Sequence, residues 1–484
     1  MAERALVAGV DCSTQATKVA IVDVETGELV ALGRATHAVE GTDGARETDP
    51  RVWWTALRDA LAETGRAPEV GAISVGGQQH GLVVLDAAGE PLRPSMLWND
   101  TRAAPDAERL TAALGPDRWA DRTGLRPVAS FTVSKWAWLR RCEPDLAGAT
   151  RAIRLPHDYV TGRLIGAGLD GGVTDRGDGS GTGWWSPDDD AYAPDILGLP
   201  EVEIDPALLP RVLGPTEIAG EVPRAVADEL GLRPGTIVGP GTGDNAASAL
   251  GLGLALGQTA MSLGTSGTVF AVSARPSHDA SGVVAGFADA SGRFLPLAAT
   301  LNCTQAVDRV AGWLGRDRDD VGPAGSVVVL PYLDGERTPN LPHAAGWIGG
   351  LRHATTPQQI LMAAYEGAAV SLVEAMAAIS EAVGGVDPEM PLVLTGGGAR
   401  GATWRDVVRR LSGRSVVVPE VVETVAIGAA VQAAATWRGE TPEAVGTRWG
   451  TSRGSRLEAV PADTERMDLV TRARASIADA LSGR

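Results

Sequence analysis

A chain of 484 residues is too long for one hydrophobic core, so two or three domains are expected. Its 44% hydrophobic and 21% charged content is that of an ordinary globular protein, and a net charge of −17 argues against nucleic acid as a partner, because phosphate backbones need a basic footprint. Three widely spaced cysteines, Cys12, Cys142 and Cys303, exclude a disulfide framework or a zinc site. With no long apolar run at the N-terminus and no uncharged stretch of about 18 apolar residues, the expectation is a soluble, cytoplasmic protein without a membrane partner.

Residues 5–10 are a short apolar run that reads as a buried strand. It ends at Asp11-Cys12-Ser13-Thr14-Gln15-Ala16-Thr17-Lys18, and strands over 19–24 and 29–36 follow. A hydroxyl-rich turn between two strands can aim backbone N–H groups at an anion. Asp11 at the strand end suits a hydrated Mg²⁺; the same residues also make a plain polar hairpin. Lys18 stands out, because it and Lys135 are the only lysines. Asp49-Pro50 starts a helix that runs to about Glu63. A strand over 70–75 opens onto Gly76-Gly77-Gln78-Gln79-His80-Gly81, which offers donors and acceptors without bulk to a polyhydroxyl ligand; a structural histidine is the competing reading. A strand over 82–85 continues the chain, and after another short strand comes a second polar turn, Trp98-Asn99-Asp100-Thr101-Arg102. Residues 130–141 are helical, with two tryptophans for core packing. Residues 173–185, with Asp175 and Asp178, read as a glycine-rich loop, structured or ligand-covering, and lack the EF-hand spacing. Residues 188–215 read as irregular.

The middle of the chain carries Gly239-Pro240-Gly241-Thr242-Gly243-Asp244-Asn245-Ala246, a glycine turn between a strand and an alanine-rich helix. Asp244 is its only charge. It is either a helix N-cap or a base that takes a proton from a ligand held against the glycines. A strand over 258–263, the turn Gly264-Thr265-Ser266-Gly267-Thr268 and a strand over 269–272 repeat the first hairpin. Thr14 and Thr265 lie 251 positions apart, about half the chain, which suggests two related lobes around one cleft, divided near 251–257. Further on, a helix over 303–315 and a strand over 326–330 precede Pro331-Tyr332-Leu333-Asp334-Gly335-Glu336-Arg337-Thr338-Pro339. A long helix runs from Thr356-Pro357 to about Val383. A strand over 391–394 ends at Thr395-Gly396-Gly397-Gly398-Ala399-Arg400, ahead of a helix from about Thr403. That strand–turn–helix suits a nucleotide phosphate; tight packing is the competing explanation for its glycines. A strand over 415–418, an alanine-rich helix over 425–437 and a polar, then helical, tail complete the chain.

Other phosphate and hydrolase motifs fail. Neither lysine follows a glycine, so there is no Walker A loop, and the protein-kinase motifs are absent. Gly241-x-Gly243-x-x-Ala246 lacks the acidic residue of a dinucleotide fold. Gly450-Thr451-Ser452-Arg453-Gly454 matches a hydrolase elbow, but no histidine follows His353.

Taken together in order, D-C-S-T-Q-A-T-K, S-L-G-T-S-G-T, T-G-G-G-A-R and the run from Gly346-Trp347-Ile348-Gly349-Gly350-Leu351 to Glu366 resemble the FGGY family of carbohydrate kinases over most of the chain. Asp-Cys-Ser-Thr departs from the family's more common glycine before the threonine. The resemblance implies an α/β fold of two duplicated actin-like, ribonuclease H-like lobes (the sugar kinase/actin/Hsp70 fold), with residues 1–250 holding sugar and base and 251–484 holding nucleotide. Within the family, G-Q-Q-H-G, W-N-D, G-D-N-A and P-Y-L-D-G-E-R-T-P are most similar to members acting on D-xylulose. The implied roles are Asp244 as base, Asp11 as the Mg²⁺ carboxylate, and Gln79 and His80 as sugar contacts, joined by Asn99, Asp100 and Asn245. Thr14, Lys18, Gly264, Thr265, Gly397, Gly398 and Ala399 would hold ATP. The implied partners are a small sugar and MgATP, and the sequence leaves a homodimer open. The alternatives are a sister kinase acting on ribulose, gluconate, glycerol or a deoxy sugar, or an actin- or Hsp70-like ATPase without a sugar.

Overall fold

In the computed structural model, which describes residues 5–481, the two hairpins seed two sheets of the same design. In the first, β1 (Leu6–Cys12), β2 (Ala16–Asp23) and β3 (Leu29–Thr36) form an antiparallel meander. Helix α1 (Arg51–Thr64) then carries the chain back to β4 (Val70–Gly77), parallel to β1. Every residue of β1 is buried, which is why it reads as an unbroken apolar run rather than an alternating one. With β5 (Gly220–Glu221) and β6 (Ile237–Val238) the order is β5-β6-β4-β1-β2-β3, and Thr242–Gly243 adds a short strand against the end of β4.

Helix α2 (Asp244–Gly251) leads to the second sheet. It contains β7 (Thr259–Leu263), β8 (Gly267–Ala271), β9 (Ala285–Ala288) and β10 (Phe294–Thr300), then β11 (Leu392–Thr395), β12 (Val416–Pro419) and β13 (Gly454–Leu457). Its order is β9-β10-β8-β7-β11-β12-β13. Laying β3-β2-β1-β4-β6-β5 on β10-β8-β7-β11-β12-β13 matches every strand sense: two antiparallel pairings, two parallel, one antiparallel. The expected duplication is therefore present in topology as well as in the hairpin motif.

The second core is organised by α3 (Pro357–Ala382), which starts with a Thr356–Gln359 capping box and buries Leu361, Leu372 and Ile379. By length and composition α3 could cross a membrane, but it is mostly buried inside the protein and is a core helix. Trp404 of α4 (Ala402–Ser412) packs on Tyr365 with ring centroids 5.0 Å apart. Helix α5 (Thr424–Arg438) belongs to the second half in sequence but packs on β1 and α2. Small residues let the backbones touch: a Cβ at Gly428 would sit 1.7 Å from Ala247 O, and one at Gly9 1.9 Å from Ala426 O. In the other direction, residues 104–213 pack onto β9: Gly286 N donates to Gly124 O (2.8 Å) and Ala288 N to Ser180 Oγ (2.9 Å). Phe131, Trp136 and Trp184 share one core with Phe270 and Phe287.

Residues 173–185 are not a covering loop. Val173–Asp175 is a strand, Arg176–Ser180 a short helix capped by Asp175, and the whole stretch is buried. Its glycines are packing contacts, since a Cβ at Gly177 would be 2.7 Å from the Asp175 carboxylate and one at Gly181 2.6 Å from the His80 ring. The three cysteines are free.

Candidate active site

Strand register assembles the site. Asp11 and Cys12 lie opposite Gly76 and Gly77, which in turn lie opposite Thr242 and Gly243. Three parallel strand ends in register bring Asp11, Gln79 and Asp244 to one edge of the sheet, the edge where open α/β sheets hold ligands.

Asp244 is the first residue of α2, and Gly243 takes the cap position, so the N-cap expectation does not hold. Its Oδ1 accepts from Asn245 N (2.8 Å) and Asn245 Nδ2 (2.9 Å); among the described residues no donor engages Oδ2. Burial, and then repulsion from Asp11 and Asp178, push the carboxyl up to about 7. A base in that range exchanges protons efficiently near neutrality. Asn245 Nδ2 also donates to Gln79 Oε1 at 2.8 Å. A Cβ at Gly243 would lie 2.6 Å from the Gln79 side chain, so the glycine before Asp244 makes this approach possible.

His80 has φ 67°, a left-handed backbone that non-glycine residues rarely adopt. Its Nδ1 is 2.9 Å from Gly181 O; a carbonyl only accepts, so Nδ1 carries the proton and Nε2 is an acceptor. Burial, then the charge of Lys135, pull the imidazole down to about 3, so it is neutral. The ring packs on Phe131 (5.0 Å) and on Phe287 of β9 (5.5 Å), so the second sheet shapes its seat. Lys135 is fully buried, donates to His80 O (2.8 Å) and Ser130 O, and is drawn down to about 7 by burial.

The W-N-D turn divides. Among the described residues Asn99 Oδ1 is buried without a hydrogen-bond partner and suits a ligand hydroxyl. Asp100 is fully buried, and its oxygens are taken by Arg102 N (3.0 Å), Arg46 N (3.0 Å) and Arg102 Nη2 (2.6 Å). It anchors the turn and is not free to be the sugar contact expected of it. Trp98, 46% exposed, donates from Nε1 to Thr14 Oγ1 at 3.0 Å and lies across the first hairpin.

At Asp11, Oδ1 is buried and, among the described residues, unpartnered, and Oδ2 is 3.4 Å from Lys18 Nζ; burial, opposed by Lys18, lifts the carboxyl to about 6. An orphaned carboxylate oxygen fits a divalent cation. Among the described residues no cluster of three or more ligating side chains forms. Lys18 Nζ is also 2.7 Å from Glu423 Oε2, so its charge is shared between two carboxylates.

In the second sheet, Ser262 pairs with Thr395, which sets Gly264 and Thr265 beside Gly397, Gly398 and Ala399. Thr304 closes the hairpin, donating to Gly264 O from N (3.1 Å) and Oγ1 (2.7 Å), and Thr265 is exposed. A Cβ at Gly398 would lie 2.8 Å from Leu263 Cβ, so packing accounts for that glycine; at Gly397 it would meet nothing within 4 Å. Ala399 is buried.

Residues 6–251 match the N-terminal domain of the FGGY family of carbohydrate kinases, and residues 259–437 its C-terminal domain. The chain belongs to the FGGY family of carbohydrate kinases. This FGGY kinase is 57% identical over 470 residues to the xylulose kinase of Streptomyces rubiginosus, covering 96% of the chain and 95% of that relative. It is similar to the crystal structure of xylulose kinase from Bifidobacterium adolescentis, with a TM-score of 0.86, 36% identity and coverage of 97% and 99%. The crystal structure of gluconate kinase from Lactobacillus acidophilus superposes with a TM-score of 0.89 at 20% identity over 99% of each chain.

Sequence reasoning did not find Glu423 or the roles of Trp98 and Lys135. It also left unassigned a buried group behind Gln79, made of His157, Asp158, Asp175 and Asp178. The only hint was the pair of aspartates in D-R-G-D-G-S-G.

Proposed function

We propose that this FGGY kinase transfers the γ-phosphoryl group of ATP to O5 of D-xylulose, yielding D-xylulose 5-phosphate. The observation that carries the reading is Asp244, one oxygen tied to Asn245 and the other free, beside acceptors on His80 and Asn99. The identity of 57% to a xylulose kinase supports the choice of sugar.

Asp244 accepts the proton of the hydroxyl as that oxygen attacks phosphorus. His80 Nε2 accepts from another hydroxyl, and Gln79, Asn99 and Asn245 fix the sugar's orientation. The first lobe, residues 1–250, carries sugar and base; the second, 251–484, carries the nucleotide. The Thr14 and Gly264-Thr265 turns line the phosphates, with Gly397, Gly398 and Ala399 along the nucleotide. Asp11 would hold Mg²⁺, which neutralises phosphate charge when bound, and Lys18 orients Asp11.

A panel of pentuloses, gluconate and polyols in a coupled ADP-release assay tests this. D-xylulose is expected to give the highest kcat/KM. A better sister substrate, or ATP hydrolysis indifferent to sugar, overturns the reading.

A further inference from the structure

We infer that Glu423 is a positioning residue for Asp11: it draws the Lys18 ammonium to itself and so leaves the Asp11 carboxylate open to the divalent cation that accompanies ATP. The inference rests on Asp11 as the Mg²⁺ carboxylate.

Strand register makes Asp11 and Lys18 direct cross-strand partners on the antiparallel pair β1–β2. Opposed side chains on such a pair lie on one face, about 5 Å apart at Cβ, and opposite charges there attract. On that pair alone, the lysine would close on the aspartate and occupy it. The ammonium instead sits nearer to Glu423. Lys18 Nζ donates to Glu423 Oε2 at 2.7 Å, an ordinary charge-assisted hydrogen bond, whereas Asp11 Oδ2 is 3.4 Å away. Asp11 Oδ1 is buried and, among the described residues, has no hydrogen-bond partner. Asp11 is 7% exposed, Lys18 24% and Glu423 22%, so solvent and salt screen these charges less than they would at an open surface.

Glu423 is fixed in this role by its backbone. It stands at the N-cap position of α5, where a side-chain oxygen commonly accepts a backbone N–H of the first turn, yet its carboxylate makes no capping bond. The start of α5 is locked to the elements that carry the site. Ser248 Oγ of α2 donates to Thr424 Oγ1 at 3.0 Å. A Cβ at Gly251 of α2 would lie 1.9 Å from Thr424 O, and one at Gly76 of β4 2.9 Å from Val425 Cγ1. Between a carboxylate anchored in this way and a lysine on a flexible four-carbon stem, the lysine is the partner that adjusts.

Full-length Glu423→Gln, Lys18→Met, the double variant and Asp11→Asn are compared with wild type. The readout is the Mg²⁺ enhancement: the Kd of the β,γ-methylene analogue of ATP in EDTA divided by its Kd in Mg²⁺, measured by calorimetry without turnover. Glutamine keeps an acceptor beside Lys18 but loses the charge, so the ammonium shifts onto Asp11 and the enhancement should fall about 5–10-fold. In the Lys18→Met background there is no ammonium to release, so adding Glu423→Gln should change the enhancement by less than about twofold. No fall in a folded Glu423→Gln overturns the inference. So does an equal fall in both backgrounds, which would make Glu423 act through its own charge. Loss of fold in Glu423→Gln, seen by circular dichroism, assigns the residue to the start of α5 alone and also overturns it. An enhancement unchanged in Asp11→Asn would remove Asp11 from the metal, and the inference with it, whatever Glu423 does.

Discussion

Replacing Asp244 by Asn should abolish turnover and stabilise the fold, and the stabilisation should depend on pH. The carboxyl moves from an ordinary 3.8 to about 7 because it is buried beside Asp11 and Asp178. Between those values the folded state binds a proton that the unfolded state does not. Stability contributed by the protonated group is fully present below 3.8 and is lost as pH rises through about 7. At about 1.4 kcal/mol per unit, the full penalty at pH 8 would be about 4 kcal/mol. Asp244 is half-buried, so solvent screening reduces this to the order of 1–2 kcal/mol. Asn cannot ionise, and its oxygen can still accept from Asn245 N. Differential scanning calorimetry should show Asp244→Asn melting about 1–2 °C above wild type at pH 8, with roughly half the gain at pH 5.5. Coupled ADP release should show less than about 1% of wild-type kcat, the loss expected when a general base is removed. A gain equal at both pH values, or none, would refute the claim that its neighbours hold Asp244 at a raised pKa; substantial residual turnover would refute its role as base.

Three further outcomes follow from the same geometry. Lys135→Met leaves the left-handed His80 backbone without the cation that donates to its carbonyl, an interaction worth about 1.5–3 kcal/mol, so sugar KM should rise about 10–100-fold with ATP KM unchanged, as it should in His80→Ala; equal increases in both constants would argue against a sugar-specific seat. Asp11→Asn should raise the Mg²⁺ concentration for half-maximal rate at least about tenfold, and an unaltered Mg²⁺ titration would remove Asp11 from the metal. Gly398→Ala pushes a methyl to 2.8 Å from Leu263 Cβ and should cost about 1–3 kcal/mol in urea unfolding, whereas Gly397→Ala, with nothing within 4 Å, should leave stability unchanged and raise ATP KM; the reverse pattern would contradict the packing.

Much of the architecture was legible in the chain. Fully buried strands such as β1 appear as unbroken apolar runs, and the Thr356-Pro357 start of α3 carries a capping box that needs no tertiary information. The glycine-rich 173–185 stretch misled because glycine serves both loops and close contacts. Nothing in the local pattern says that Gly181 lies under the His80 ring. Asp100 misled for a similar reason: its motif is polar, yet Arg46 and Arg102 use up its oxygens within the fold.

What the sequence determined by itself is the set of strand ends: hydrophobic runs that must be buried, each terminated by small polar residues, repeated once in each half. That follows from short-range physics, because burial of apolar surface and turn chemistry are written in neighbouring residues. What only the tertiary structure decided is the electrical state of the site. Lys18 lies 2.7 Å from Glu423, a residue 405 positions away, and Asp244 is raised by burial and by Asp11 and Asp178, which reach it from the end of β1 and from a short helix. Charge interactions act through space over several ångströms in a medium of low polarisability, so which aspartate is a base, an anchor or a positioning group is fixed by its neighbours in the fold, not by its motif.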